Sequence, residues 1–276
     1  MATRSLNAEA QLLRSYHAEG ILVLPNAWDG ASAALIAAEG AKAIATTSGG
    51  ISWALGRSDG QRLSRARMLR MVESIVAAVE VPVTADVEGG YGPTGEDVAE
   101  TVRATLAAGA VGINLEDSGA PDGVLFDVEA QGARIRAARR AAADAAVPEF
   151  VINARTDVFL FQVGEPAGRL DEVIGRAKAY AEAGADCLFV PGLVDLAALE
   201  ALTAASPLPV NAMTGPGGPG VAELSAVGVR RVSVGTATAE TAYSAARRAA
   251  RELLSRGAYP VDADALTYPD VNGLFA

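Results

Sequence analysis

The chain has 276 residues, half of them hydrophobic and a fifth charged, which is typical of a soluble globular protein with a sizeable core. Its net charge of −10, with lysine only at positions 42 and 178, argues against a nucleic-acid partner, because such binding depends on cationic side chains. One cysteine and one histidine exclude an intrachain disulfide and a zinc site built from several Cys and His ligands. No stretch has the character of a leader or a membrane span, so we expect a cytoplasmic protein without membrane contact.

Short apolar runs alternate with helical patterns along the chain. Residues 1–19 predict an N-terminal helix capped by Asn7. Eight apolar runs follow, most of them entered after a helix-ending glycine or through a proline, at about 21–24, 41–44, 81–84, 110–113, 147–152, 185–188, 208–211 and 229–232. The clearest helical patterns between and after them are 64–79, 95–108, 127–145, 170–183 and 237–256.

This alternation predicts one α/β domain over residues 1–276, folded as an eight-stranded parallel (β/α)8 TIM barrel. Runs buried on both faces and separated by helices indicate a parallel sheet. Eight near-equal units favour a closed barrel over the alternative, a doubly wound open sheet. Residues 257–276 are expected to form a C-terminal extension, irregular or with a short helix.

Acidic residues follow the third and fourth predicted strands, at the end of a barrel where active sites lie. Asp86 and Glu88 follow the third strand, and Glu116 follows the fourth. Each acid by itself could simply cap the next helix. Three carboxylates at one mouth, however, repel one another unless a cation neutralises them, and oxygen ligands without His or Cys favour Mg²⁺. Together they predict a magnesium site.

Two further strand ends carry groups suited to an anion. Arg155 follows the fifth strand, where its guanidinium can bind a substrate carboxylate, form a salt bridge with Glu116, or do both. Ser48 and Gly49 follow the second strand, and their small side chains let backbone N–H groups approach an anion closely. An ordinary glycine turn is the simpler interpretation of that segment taken alone.

Five segments, in this order, resemble the isocitrate lyase / phosphoenolpyruvate mutase superfamily. They are Pro25-Asn26-Ala27-Trp28-Asp29, Thr47-Ser48-Gly49, Asp86-Val87-Glu88-Gly89-Gly90-Tyr91-Gly92, Leu115-Glu116-Asp117 and Asn153-Ala154-Arg155-Thr156-Asp157. The resemblance covers residues from about 20 to about 256. It implies a (β/α)8 barrel with Mg²⁺, or Mn²⁺, and a small 2-oxo or 2-hydroxy carboxylic acid in its mouth. It also implies a homotetramer of helix-swapped dimers, in which the helix at 237–256 is exchanged.

The resemblance further implies roles for single residues. Asp86 would be the direct metal ligand, and the residues acting on the metal through water would be Asp59, Glu88 and Glu116. The substrate would be bound by Thr47, Ser48, Gly49, Arg155 and Asn211. The catalytic residues would be Arg155, Glu116 and Asp59.

The loop at 118–126 departs from the family pattern, since it has no Cys, Lys, His or Asn. Isocitrate lyases carry a proton-donating cysteine there, and the mutases carry Lys and Asn for the phosphoryl group. In addition, Glu88 stands where most members have Asp, and the sixth strand ends in Pro191-Gly192.

These departures favour a Mg²⁺-dependent lyase that cleaves a C–C bond of a small 2-hydroxy or 2-oxo acid through a metal-stabilised enolate. Such an enzyme would be isocitrate-lyase-like or oxaloacetate-decarboxylase-like, with water as the proton source and the glycine-containing loop as a lid. The alternatives are a phosphonopyruvate-type C–P enzyme and a non-catalytic 2-oxo-acid binding protein.

Overall fold

The computed structural model of the chain describes residues 5–18, 20–119, 123–259 and 264–275. Its strands are β1 (Leu22–Leu24), β2 (Asn26–Ala27), β3 (Ile44–Thr46), β4 (Val83–Asp86), β5 (Gly112–Glu116), β6 (Ser118–Gly119), β7 (Val124–Leu125), β8 (Val151–Arg155), β9 (Cys187–Val190), β10 (Val210–Met213) and β11 (Arg231–Ser233). Its α-helices are α1 (Leu6–Ser15), α2 (Gly30–Ala38), α3 (Ser48–Ala54), α4 (Arg65–Ala77), α5 (Gly95–Ala107), α6 (Val128–Asp144), α7 (Arg169–Glu182), α8 (Leu196–Ala205), α9 (Val221–Ala226), α10 (Ala237–Arg256) and α11 (Tyr268–Gly273).

The nine-stranded parallel sheet closes on itself through its first strand. Along the sheet the order is β1-β11-β10-β9-β8-β5-β4-β3-β2. β1 and β2 are two halves of one strand separated by Pro25, which has no N–H to donate to a ladder. One half pairs with β11 and the other with β3, so the two ends of the sheet are continuous in the chain. The predicted (β/α)8 barrel is confirmed.

Strand register determines which polar residues meet at the mouth. Glu116 and Arg155 are direct partners across β5 and β8, and Asp86 is the partner of Asn114 across β4 and β5. Because parallel strands all present their carboxyl ends on one side, these side chains gather at the same end of the barrel. The strands below them carry buried apolar residues such as Ile113, together with buried polar residues such as Asn153.

The N-terminal helix starts earlier than the Asn7 cap predicts. Ser5 has the extended backbone of an N-cap, and its hydroxyl accepts a hydrogen bond from the Ala8 N–H at 3.3 Å. Asn7 lies inside α1, and its amide oxygen instead accepts from the Glu149 N–H at 3.3 Å. The prediction of Asn7 as the cap is therefore wrong, since the residue serves a long-range contact that the sequence does not reveal.

Both ends of the segment predicted as a lid are paired as strands. β6 and β7 form a short antiparallel hairpin, with Ser118 opposite Leu125 and Gly119 opposite Val124. Closure of this segment over the mouth stays a prediction.

The described part of the C-terminal extension contains a short helix, α11. Among the described residues, no helix combines the length and the hydropathy that crossing a membrane requires.

Candidate active site

Asp86 is held at the mouth by backbone and side-chain donors around it. It is the last residue of β4, and its carboxylate accepts hydrogen bonds from the N–H groups of Ser48 at 3.1 Å and Glu88 at 3.3 Å. Its own N–H donates to the Thr46 hydroxyl at 2.8 Å. The Ser48 N–H, predicted to face an anion, therefore binds this carboxylate. Ser48 also starts α3, so the segment is a helix start rather than a glycine turn.

Glu88 is a buried carboxyl with one unsatisfied oxygen. Only 2% of the residue is exposed, and its backbone lies in the left-handed region, with φ of 51°. One carboxyl oxygen accepts from the Gln61 N–H, whereas Oε1 has no hydrogen-bond partner among the described residues. Burial, followed by repulsion from Asp86 and Asp59, raises the pKa of Glu88 to about 8. A cation beside this group would restore its ionised form.

The loop that carries Glu88 is shaped by Arg134, whose contribution the sequence analysis missed. Arg134 projects from α6, donates to the carbonyl oxygens of Gly89 and, at 3.3 Å, of Gly92, and lies 4.0 Å from the centre of the Phe126 ring. Burial lowers the pKa of Arg134 to about 10, so it stays charged at neutral pH. The sequence shows only an arginine in an alanine-rich helix, and this pattern does not indicate which backbone carbonyls the guanidinium binds.

Arg155 lies between two carboxylates. Its Nη1 is 3.0 Å from Glu116 Oε2, and its Nε donates to Asp157 Oδ1 at 2.6 Å. Nη2 has no hydrogen-bond partner among the described residues. Burial acts to lower the pKa of Arg155, but Glu116 and Asp157 together raise it above its ordinary value. The salt bridge to Glu116 is thus present, and one nitrogen is left for a ligand.

The environment of Glu116 disfavours its ionised form. Burial raises its pKa to about 8 in spite of the opposing effect of Arg155, and repulsion from Asp157, Asp86 and Glu88 acts in the same direction as burial. In the absence of a further cation, Glu116 therefore takes up a proton more readily than an ordinary glutamate.

Asp59 reaches the mouth from the loop between α3 and α4. Partial loss of solvent and repulsion from Asp86 raise the pKa of Asp59, while the nearby Gly60 N–H and Ser48 hydroxyl act to lower it. Gly49 lies directly beside it. A Cβ atom at Gly49 would stand 3.1 Å from Asp59 Oδ2 and 2.7 Å from Thr236 Cγ2, so this position has no room for a side chain.

The remaining two predicted substrate contacts, Thr47 and Asn211, are also buried. Thr47 is buried at the N-cap of α3, and its N–H donates to the Ala27 carbonyl at 3.0 Å. Asn211 is fully buried inside the barrel. Its amide accepts from Asn153 at 2.9 Å and donates to the Ala212 carbonyl at 2.8 Å. The structure thus gives Asn211 hydrogen-bond partners in the barrel interior, and its contact with a substrate stays a prediction.

The charges at the mouth are unbalanced. The carboxylates gathered there are Asp59, Asp86, Glu88, Glu116 and Asp157, and the guanidinium among them is that of Arg155. Such a cluster of carboxylates suits a site that binds a divalent cation.

Comparisons with known proteins match the chain over most of its length. The family model described as phosphoenolpyruvate phosphomutase matches residues 13–254. The uncharacterized protein Rv1998c of Mycobacterium tuberculosis is 37% identical over 238 residues, which cover 86% of each chain.

Solved structures share the fold over nearly the whole chain. Oxaloacetate acetylhydrolase in complex with the product oxalate has a TM-score of 0.86 and 27% identity, over 97% of this chain and 94% of that one. 2,3-Dimethylmalate lyase, a PEP mutase/isocitrate lyase superfamily member, has a TM-score of 0.84 and 26% identity, over 96% and 94%. This superfamily contains both lyases and mutases. The chain belongs to the phosphoenolpyruvate mutase family within the isocitrate lyase/PEP mutase superfamily.

Proposed function

We propose that this protein is a Mg²⁺-dependent lyase that cleaves a C–C bond of a small 2-hydroxy or 2-oxo carboxylic acid. The observation that carries the proposal is the mouth itself, where an excess of carboxylates surrounds Arg155, whose Nη2 is unpaired among the described residues. The carboxylates suit a divalent cation, and the guanidinium suits a substrate carboxylate.

The residues present fit a magnesium or manganese ion. The buried Glu88 Oε1 is an oxygen ligand without a partner among the described residues, and burial together with repulsion from neighbouring carboxylates raises the pKa of Glu88 and of Glu116. In residues 5–18, 20–119, 123–259 and 264–275 no three His, Cys, Asp or Glu side chains stand close enough to enclose a metal. Mg²⁺ does not require such a cage, because it commonly keeps several waters and takes one or two carboxylates. Asp86 would bind it directly, with Asp59, Glu88 and Glu116 acting through water.

Residues of the chain would bind the substrate carboxylate and carry the proton. Arg155 would hold the substrate carboxylate with Nη2, and the Ser48 hydroxyl with the backbone at Thr47 and Gly49 would border the same carboxylate. Glu116, poised by burial, would hold or release a proton near the reacting carbons. When bound, Mg²⁺ would supply Lewis-acid polarisation of the substrate oxygen. Since residues 118–126 contain no Cys, Lys or His, water would donate the final proton.

Two alternatives are distinguished by turnover. The first is a C–P enzyme of the phosphonopyruvate type, which is suggested by the match to the family model described as phosphoenolpyruvate phosphomutase. It would release or transfer phosphate from phosphonopyruvate, whereas the proposed lyase would form pyruvate, glyoxylate or a related 2-oxo acid. A non-catalytic binding protein would bind a 2-oxo acid with Mg²⁺ and would turn over neither phosphonopyruvate nor any 2-hydroxy or 2-oxo acid.

The first test is the melting temperature with and without Mg²⁺ across a panel of 2-oxo and 2-hydroxy acids. A ligand that binds the folded state raises the melting temperature by mass action, by an amount that grows with concentration over Kd. We expect a shift that needs both metal and acid, and its loss in Asp86→Asn. Asp144→Asn, an exposed change at the end of α6, is the matched control. A rise in melting temperature in Asp86→Asn equal to that of the wild type would show that Asp86 is not part of the site.

We further propose that the protein assembles through α10. In this helix only Ala239 is buried, while Leu253 is 49% and Leu254 is 87% exposed. On the barrel wall, an apolar groove of about 550 Å³ lies between β1 and α2, lined by residues such as Leu22 and Ile36. An exchanged α10 from a second copy would cover apolar surface of this kind, in helix-swapped dimers that pair into a tetramer.

A further inference from the structure

We propose that Asp157 is a positioning residue that orients Arg155 for the substrate carboxylate, and that Ser118, at the base of the β6–β7 hairpin, holds Asp157 in place. This inference rests on the proposed function, since it concerns how the same site recognises its acid. Neither residue is among those predicted from the sequence to act at the site.

Each oxygen of the Asp157 carboxylate is used by one of these two neighbours. Asp157 is inaccessible to solvent. Its Oδ1 accepts from Arg155 Nε at 2.6 Å, and its Oδ2 accepts from the Ser118 hydroxyl at 2.6 Å. Ser118 is itself buried, at 4% exposure. A charge-assisted bond on one oxygen and a buried hydroxyl on the other leave the carboxylate little freedom to rotate.

The consequence for Arg155 is a guanidinium fixed at two of its three nitrogens. Asp157 binds Nε, and Glu116 binds Nη1 at 3.0 Å. A planar guanidinium held at two nitrogens cannot rotate about its long axis, so Nη2 is left pointing in one direction. A side chain that is ordered before the ligand arrives loses less conformational entropy on binding, and affinity increases accordingly.

The hairpin base supplies the rigidity on the other side of Asp157. The Asp157 N–H donates to Asp117 Oδ1 at 3.0 Å, and Asp117 is also fully buried. At the far end of the hairpin, the Phe126 N–H donates to the Asp117 carbonyl at 2.7 Å, and Arg176 donates to the Phe126 carbonyl at 3.0 Å. The Ser118 end of the hairpin is thus bonded to Asp157, beyond β8, and the Phe126 end is bonded to Asp117, beyond β5. A change at Ser118 is therefore transmitted to Arg155 through one carboxylate.

The charge of Asp157 and its geometry predict opposite effects on binding, which makes the role testable. As a second negative charge beside Arg155, Asp157 weakens the attraction of that arginine for a carboxylate. As an anchor of Nε, it improves the geometry of the same contact. In Asp157→Asn the amide oxygen can face Nε and the amide nitrogen can face Ser118 Oγ, so the geometry is kept while the charge is lost. Asp157→Ala removes both.

The experiment is calorimetric titration of oxalate, a small planar dicarboxylate, into the full-length protein with saturating Mg²⁺. We expect Asp157→Ala to weaken binding by roughly tenfold or more, in line with loss of a charge-assisted hydrogen bond, and Ser118→Ala to weaken it by about threefold. Asp157→Asn should stay within about threefold of the wild type. In an Arg155→Lys background, which has no Nε to anchor, Asp157→Ala should cost less than about threefold.

Asp186→Asn is the control for a merely structural effect. Asp186 joins Arg14, at 2.7 Å, and Arg139 at the opposite end of the barrel, so its loss should lower stability and leave oxalate affinity unchanged. The positioning role is overturned if Asp157→Ala binds oxalate within twofold of the wild type, if its cost is the same in the Arg155→Lys background, or if Asp157→Asn loses as much as Asp157→Ala. Should Asp157→Ala fail to fold, Ser118→Ala and Asp157→Asn carry the test. Failure of the wild type to bind any acid with Mg²⁺ would instead contradict the proposed function.

Discussion

At the scale of single residues, the space beside Gly49 is closed by two side chains from distant parts of the chain. A methyl group at this position would stand 2.7 Å from Thr236 Cγ2 and 3.1 Å from Asp59 Oδ2. We expect Gly49→Ala to displace Asp59, to reduce Mg²⁺-dependent acid binding by about tenfold, and to lower stability by about 1–3 kcal/mol through overpacking. Titration calorimetry and urea unfolding measure the two effects.

Gly168→Ala is the control for that substitution, because Gly168 has an ordinary φ of −95° and an added methyl group would meet no atom within 4 Å. It should leave both binding and stability close to the wild type. Normal acid binding by Gly49→Ala would show that Asp59 is not needed at the mouth.

His17 makes stability depend on pH through a buried contact far from the mouth. Its Nδ1 lies 3.0 Å from the Leu13 carbonyl and its Nε2 lies 3.4 Å from Arg231 Nη1, an arrangement that requires the neutral ring. Burial and then the charge of Arg231 lower the pKa of His17 to about 4. The unfolded chain binds a proton near pH 6.5 and the folded chain does not, so this contribution to stability is complete above pH 6.5 and is lost as the pH falls toward 4.

The prediction is a difference between the wild type and His17→Gln. The wild type should lose about 2–3 kcal/mol more of its free energy of unfolding than the variant does between pH 7.5 and pH 4. Urea unfolding across this range measures it, and the subtraction removes the carboxyl groups that titrate in both proteins. Parallel curves for the two proteins would mean that folding does not lower the pKa of His17.

At the scale of secondary-structure elements, α6 shapes a loop that belongs to a different βα unit. Arg134 projects from α6 to the Gly89 and Gly92 carbonyls of the loop after β4, in which Glu88 and Tyr91 have positive φ angles of 51° and 62°. Arg134→Leu leaves those carbonyls without their donor, so we expect a loss of about 2–4 kcal/mol in the free energy of unfolding.

The same variant should lose most of the Mg²⁺-dependent rise in melting temperature, because the loop that carries Glu88 would relax. Arg136→Leu, two positions along α6 on an exposed face, should change neither quantity appreciably. A variant that is destabilised but binds metal and acid normally would show that the strained loop is not required for the site.

At the scale of the whole molecule, the barrel leaves the long helix α10 largely uncovered. Its exposed leucines and the apolar groove between β1 and α2 account for the proposed assembly. We expect light scattering to give the mass of a tetramer for the wild type, and Leu254→Glu to shift the population toward smaller species, since a carboxylate would be buried without a partner.

Leu266→Glu is the matched control, because Leu266 is exposed to 56% and lies outside α10. It should retain the mass of the wild type. A monomeric wild type would overturn the assembly proposal, and a tetrameric Leu254→Glu would mean that α10 is not in the interface.

The fold and the composition of the mouth were accessible from the sequence because they depend on local order. Alternating strand and helix patterns predict a parallel barrel, and parallel strands place every carboxyl end on one side, so Asp86, Glu116 and Arg155 were expected to meet. What these side chains bind stays a prediction, since it depends on a ligand and on activity.

Only the tertiary structure decided how those side chains are held. Arg134 contacts Gly89 across 45 positions of sequence, and Ser118 contacts Asp157 across 39 positions. No local sequence pattern predicts either contact. The partners of Asn211 are equally hidden in the sequence, since Asn153 lies 58 positions away, and its contact with a substrate stays a prediction. Periodicity records which face of an element is buried, whereas the partner of a buried polar group is determined by how separate elements pack together.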